Sequence, residues 1–170
     1  SNLVIDVKLV GAAGNKIFLE PEDRNEMGSV KIQGRFEVTP PASHIQFYGL
    51  EIFSTTGTDS TAKVAGFTLS SGDSIHVINN VIHDAAIGIG DWLKSHNTVV
   101  YGNVVYDIGW VDTVRARGHC VYTQNNTGNG RKLYRHNYFS TKFTETALGN
   151  YGFQSYGCLL YTSDAADDIP

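Results

Sequence analysis

The stretch "SIHVINNVIHDAAIGIG", Ser74 to Gly90, decides how this chain is read. Apolar residues alternate with polar ones on either side of two adjacent asparagines. Period-two alternation places one set of side chains on a single face of a strand. Asn tolerates the backbone angles of a tight corner. The stretch therefore reads as strand, corner, strand. The same reading fits "HIQFYGLEIFS" from His44, "NTVVYGNVVYD" from Asn97 and "RKLYRHNYFST" from Arg131. Aligned on the residue that follows the Gly, Asn or His of each corner, the four segments place Leu50, Asn80, Asn103 and Asn137 in one column. Their spacings are 30, 23 and 34 residues, a rung with variable insertions rather than a strict helical repeat.

The columns around this anchor are apolar. Three positions before it stand Phe47, Val77, Val100 and Tyr134, and two positions after it Ile52, Ile82, Val105 and Phe139. A third strand per rung follows in "GFTLS", "GIGDW", "CVYTQ" and "GFQSY", whose second positions are Phe67, Ile89, Val121 and Phe153. Rungs stacked in parallel about 4.8 Å apart bring each column onto itself, so that apolar columns merge into one core. The three anchor asparagines form a ladder whose amides bond to the rungs above and below. "KIFLE" and "SVKIQGRFEV", upstream of His44, are expected to form an earlier, less regular rung.

Composition agrees. The 170 residues contain 18 glycines and are rich in Asn, Ser, Thr, Tyr and Val, which is turn chemistry plus β-formers. With 13 Lys and Arg against 17 Asp and Glu, the chain lacks the clustered cations of a nucleic-acid binder; "VRARGH" and "RKLYRH" are its richest basic stretches. No apolar segment approaches the roughly 20 residues of a membrane span. The opening "SNLVIDVKLV" has no initiator Met and reads as the interior of a longer frame. The closing "CLLYTSDAADDIP" resembles the translated read-through of a sequencing-library adapter, as in a metagenomic fragment. The expected organisation is a truncated β-helix over residues 1–157, with clear rungs over 44–157, and a non-native tail over 158–170. Cys120 is then a lone cysteine, and no disulfide framework is expected.

"SIHVINNVIHDAAIGIG" and "GHCVYTQNNTGNGRKLYRHNYF" resemble bacterial proteins of the pectate-lyase-like superfamily, built from PbH1-type repeats. The resemblance covers about His44 to Gly157. It implies an all-β chain wound as a single-stranded right-handed parallel β-helix, secreted or held at the cell surface or in the periplasm, and acting on or binding polysaccharide as a monomer. The alternative is a non-catalytic structural or adhesin-type β-helix.

Chemistry on such a coil sits outside, because the inside is filled. If Phe67, Ile89, Val121 and Phe153 point inward, two outward columns follow: Thr68, Gly90, Tyr122 and Gln154, then Ser70, Trp92, Gln124 and Tyr156. Aromatic rings stack on the apolar faces of sugars, and Gln and Tyr bond their hydroxyls. Tyr122, Gln124, Trp92, Gln154 and Tyr156 are therefore the substrate-binding candidates, or else a solvated sheet surface. Asp84 and Asp107 both lie four positions after their anchors, so they stack about one strand spacing apart. Such a pair can share a proton, hold a cation such as Ca²⁺, serve as catalytic carboxylates, or simply bond the backbone of a turn. Asp91 shares the inward register of Thr123 and is expected to emerge at a corner as a secondary candidate.

His119 precedes the third strand of its rung, close to Arg115 and Arg117. A uronan lyase needs a base at the sugar C5 proton and a cation on the neighbouring carboxylate. His119 or Tyr122 suits the first role and Arg115 or Arg117 the second. The bland reading is a bonded corner histidine with two solvated arginines. "GHC" resembles the Gly-His-Gly motif of polygalacturonases and "SGDSI" their Gly-Asp-Asp segment, but Ser74 stands where the second Asp would be. The remaining histidines do not fall into metal-ligand spacing, so neither a transition metal nor any other obligatory cofactor is expected.

Overall fold

A computed structural model describes residues 3–54, 65–111, 116–126, 128–141 and 150–157; the expected tail lies outside the described residues. Among the described residues there is no helix. The strands in chain order are β1 (Leu3–Val7), β2 (Ile17–Leu19), β3 (Lys31–Val38), β4 (Ser43–Tyr48) and β5 (Glu51–Phe53). Then come β6 (Ala65–Ile78), β7 (Val81–His83), β8 (Ile87–His96), β9 (Val99–Tyr101) and β10 (Val104–Ile108). The last are β11 (Trp110–Val111), β12 (Ala116–Asn125), β13 (Leu133–Arg135), β14 (Tyr138–Thr141) and β15 (Asn150–Gly157).

The chain winds through about four turns of a parallel β-solenoid of right-handed type. Three faces result. The first stacks β1, β3, the start of β6, β8, β12 and β15. The second stacks β2, β4, the end of β6, β9 and β13. The third stacks the start of β3, β5, β7, β10 and β14. All these pairs are parallel, and the short β11–β12 pair is antiparallel. The early rung expected from "KIFLE" and "SVKIQGRFEV" is present as β2 and β3.

Registers place like residues on like. Phe36, Phe67, Ile89, Val121 and Phe153 follow one another rung by rung. Phe67, Ile89 and Val121 are fully buried, and Phe153 packs against the same core. Phe36, Phe47 and Phe67 meet with ring centroids 4.9 to 5.4 Å apart in the centre of the coil. The alternation shifts phase at the start of the third strand, where Gly66 and Phe67, Gly88 and Ile89, and Cys120 and Val121 are buried in succession. Small residues are needed there. A Cβ on Gly88 would stand 2.5 Å from both the Cys120 carbonyl and Val105 Cγ1. Ala65, Ile87, His119 and Tyr151, one position earlier, form their own register column.

Left-handed backbone marks the corners. His44, Ser74 and Asn97 share positive φ at one corner, and Gly49, Asn79, Gly102 and His136 at the next. The second set immediately precedes the anchor column. There Leu50 N–H donates to Asn80 Oδ1 at 3.0 Å, Asn80 N–H to Asn103 Oδ1 at 2.9 Å, and Asn103 N–H to Asn137 Oδ1 at 2.9 Å. Each carboxamide also donates to a carbonyl of the preceding rung: Phe47, Val77 and Val100 respectively. The asparagine ladder thus satisfies backbone groups that the turn would otherwise leave unpaired in the interior.

Candidate functional site

The outward side of the first face carries the expected first column in register: Thr68, Gly90, Tyr122 and Gln154. The second column is straight only between Gln124 and Tyr156. Between β6 and β8 the register shifts, with Leu69 opposite Asp91 but Ser71 opposite Lys94. Trp92 and Leu93 together oppose the single Ser70, which is a β-bulge. The sequence carries that signal: 13 residues separate Phe67 from Asn80, but 14 separate Ile89 from Asn103.

Two rungs build a checkerboard. Tyr122 lies opposite Gln154, and Gln124 opposite Tyr156. Within each strand the amide donates to the phenol, Gln124 Nε2 to Tyr122 Oη at 3.0 Å and Gln154 Nε2 to Tyr156 Oη at 2.7 Å. The rings of Trp92 and Tyr122 are 5.0 Å apart, and those of Tyr122 and Tyr156 5.7 Å. Tyr156 is 53% exposed. The Trp92 indole lies over Gly90, where a Cβ would come 3.1 Å from Nε1. Beside this array a groove of about 400 Å³ is lined by Ser70, Trp92, Leu93, Lys94 and Gln124. Leu93 and Lys94 enter it because of the bulge.

The phase shift at Cys120–Val121 brings His119 to the same aromatic patch. Its ring centroid is 5.4 Å from that of Tyr122 and 5.8 Å from that of Tyr151, nearly parallel to the latter. Burial holds the imidazole below its ordinary pKa, and its buried Nδ1 has no hydrogen-bond partner in the protein. A neutral imidazole with an open nitrogen can take up a proton. Arg115 lies outside the described residues. Arg117 is described as backbone only, paired with Trp110.

Asp84 and Asp107 both adopt φ of 51° at equivalent bends, Asp84 just after β7 and Asp107 inside β10, where its register is irregular. Their surroundings belong to the third face. Asp84 Oδ2 lies 2.8 Å from His83 Nδ1, and His83 Nε2 lies 3.3 Å from Glu51 Oε1. The His83 ring is stacked between Phe53 and Tyr106. Burial, with Glu51, Asp84 and Asp107 close by, raises the Tyr106 pKa. The two aspartates therefore attend a stacked side-chain ladder, whereas the ring partners of His119 belong to the first face. Among the described residues no group of three or more His, Cys, Asp or Glu side chains is placed to hold a metal ion.

Asp91 does not emerge at a corner. It is fully buried, in the inward column that runs from Val38 through Leu69 to Thr123. Lys132, equally buried, places Nζ 2.7 Å from Asp91 Oδ1 and donates also to the Trp92 carbonyl at 2.8 Å and to Ser95 Oγ at 3.1 Å. Ser95 donates its hydroxyl to Asp91 Oδ1. Tyr134, last of the column that begins with Phe47, donates to Asp91 Oδ2 at 2.5 Å and lies 2.8 Å from Thr123 Oγ1. Burial pulls the Asp91 carboxyl up and the Lys132 ammonium down, and their mutual attraction opposes both shifts.

No family model, curated protein or solved structure matches the chain. The β-solenoid stands on its own geometry, and function has to be argued from the outer faces. Among the described residues, no helix is long and apolar enough to cross a membrane.

Proposed function

We propose that this protein binds polysaccharide on the outward first face and, if catalytic, processes it there. One observation carries the reading: the Tyr122–Gln154 and Gln124–Tyr156 checkerboard, continued by Trp92 into the groove. Rings spaced about one rung apart offer stacking surfaces to successive sugars, and the amides hold the phenols in place for hydroxyl recognition. Lys94 is the cation lining the groove, which favours an acidic polymer. Encounter with such polymers implies export to the cell surface, the periplasm or the medium.

In a lyase reaction His119 removes the C5 proton. The C–H electron pair becomes a C4–C5 double bond, the C4–O bond breaks, and the departing oxygen takes up a proton. Arg115 or Arg117 is the expected partner for the sugar carboxylate. A hydrolase would add water across the glycosidic bond instead. A non-catalytic adhesin-type coil would use the same face for binding alone. Retention on immobilised acidic and neutral polysaccharides, with ultraviolet absorbance and reducing-end assays, separates these outcomes. Tyr122→Ala should weaken binding by about tenfold or more, as loss of a central aromatic anchor does. Retention on none of the polymers overturns the reading; binding without either product leaves the non-catalytic form of it.

A further inference from the structure

The bulge that shapes the groove is held by the segment that leaves β12. Its two successive carbonyls are each captured. Lys132 Nζ, from the interior, donates to the Trp92 carbonyl at 2.8 Å. Asn129 Nδ2, half-buried on a connection whose other described residues are exposed, donates to the Leu93 carbonyl at 2.8 Å. A bulge leaves ladder positions unpaired, so these carbonyls need such donors. Lys132 is itself fixed by Asp91 and Ser95. No third strand of the coil supplies either contact: Asn129 belongs to the connection after β12, and Lys132 stands just before β13, in register with Thr98.

We infer that Asn129 and Lys132 are positioning residues for the groove: clamping the Trp92 and Leu93 carbonyls from two sides, they set the stance of the Trp92 indole and of the groove wall. The functional part of this inference rests on the polysaccharide reading; the clamp does not. A clamp of this kind prepares the wall before a ligand arrives, and preorganisation of that sort strengthens binding by removing ordering costs. It also couples the connection after β12 to the neighbouring rung.

The experiment uses a Trp110→Phe background, which leaves Trp92 as the single indole. Asn129→Ala is the informative variant, because it spares the buried ion pair. Trp92 emission and acrylamide quenching are measured without ligand, alongside thermal unfolding. Binding is then measured to polygalacturonate, alginate and a neutral galactomannan. The clamp predicts about twofold stronger quenching of Trp92 in Asn129→Ala and about tenfold weaker binding of whichever polymer the parent retains, with the unfolding midpoint little changed. Lys132→Met should move the Trp92 signal further. Unaltered quenching in Asn129→Ala overturns the clamp whatever the binding result. Altered quenching with undiminished binding overturns its role in recognition. A parent that retains no polymer overturns the reading of the groove, while the quenching result still decides the clamp.

Discussion

The backbone N–H of Asn80 donates to Oδ1 of Asn103, 23 residues later in the chain, at 2.9 Å. The Asn103 carboxamide also donates to the Val77 carbonyl at 2.9 Å, and the residue is fully buried. Asn103→Ala strands these groups without water. Each unsatisfied buried polar group costs about 1–3 kcal/mol, so a loss of about 3 kcal/mol or more is expected in urea unfolding. Asn126→Ala, at an exposed position, should stay within about 0.5 kcal/mol. Equal effects of the two substitutions would remove the ladder from the account of stability.

The Asp91–Lys132 pair predicts a non-additive mutant cycle. Lys132→Met leaves a buried carboxylate without its counter-charge, at a cost of about 3–5 kcal/mol. Asp91→Leu added to it should recover most of that loss, since Leu69 already occupies the preceding place in the column. In Lys132→Met the carboxyl pKa stays raised by burial. The folded state then holds its proton more tightly than the unfolded chain. Stability should therefore fall as pH rises through the ordinary carboxylate range and return on acidification. Simple additivity in the double variant would contradict the pairing.

His76 gives the parent protein an acid-sensitive limb. Burial, with Lys16 and then His44 nearby, lowers its pKa to about 4, and Lys16 Nζ lies 3.1 Å from Nδ1. The unfolded chain takes up this proton first, near pH 6.5. Stability is therefore present above that pH and lost as pH falls from about 6.5 through about 4. At a half-exposed site, solvent screening limits the effect to about 1–2 kcal/mol. His76→Gln should flatten the profile in this window, measured by urea midpoints at closely spaced pH. An unchanged slope would assign the acid limb to other groups.

Gly88 separates shape from propensity. A methyl group there would collide with the Cys120 carbonyl and Val105 Cγ1, so Gly88→Ala should cost about 1–3 kcal/mol. Gly14, with nothing within 4 Å of a new Cβ, should tolerate alanine. Thermal unfolding of the two variants checks the contrast; a neutral Gly88→Ala would mean that the rungs pack less closely at that corner.

The coil was legible because parallel stacking repeats one environment every rung. Phe67, Ile89, Val121 and Phe153 could be aligned by type alone, and the left-handed corners announced themselves as Gly49, Asn79, Gly102 and His136 just before the anchors. Column logic failed where a residue answers to something outside its column. Asp91 looked too polar for the interior because its counter-ion, Lys132, lies 41 positions later in a different column, the one that holds Ile45, Ile75 and Thr98, and meets it only across the inside of the coil. The straight Ser70–Trp92 column was lost to one extra residue in β8. For Asp84 and Asp107 the corner position was readable, but the stacking of His83 and Tyr106 beside them on the third face was not, because it needs the β7–β10 register. The Tyr–Gln checkerboard was legible in its columns, Tyr122 beside Gln154 and Gln124 beside Tyr156, as the β12–β15 register has them; the amide-to-phenol bonds within each strand were not.

The asparagine ladder has an arrow. Leu50 waits for Asn80, and Asn80 for Asn103, so a corner made early in synthesis keeps a naked amide until the following loop has left the ribosome. The length of each rung then fixes how long that vacancy lasts: 30 residues for Leu50 and 23 for Asn80. A nascent chain of this design matures one storey behind its own growing end.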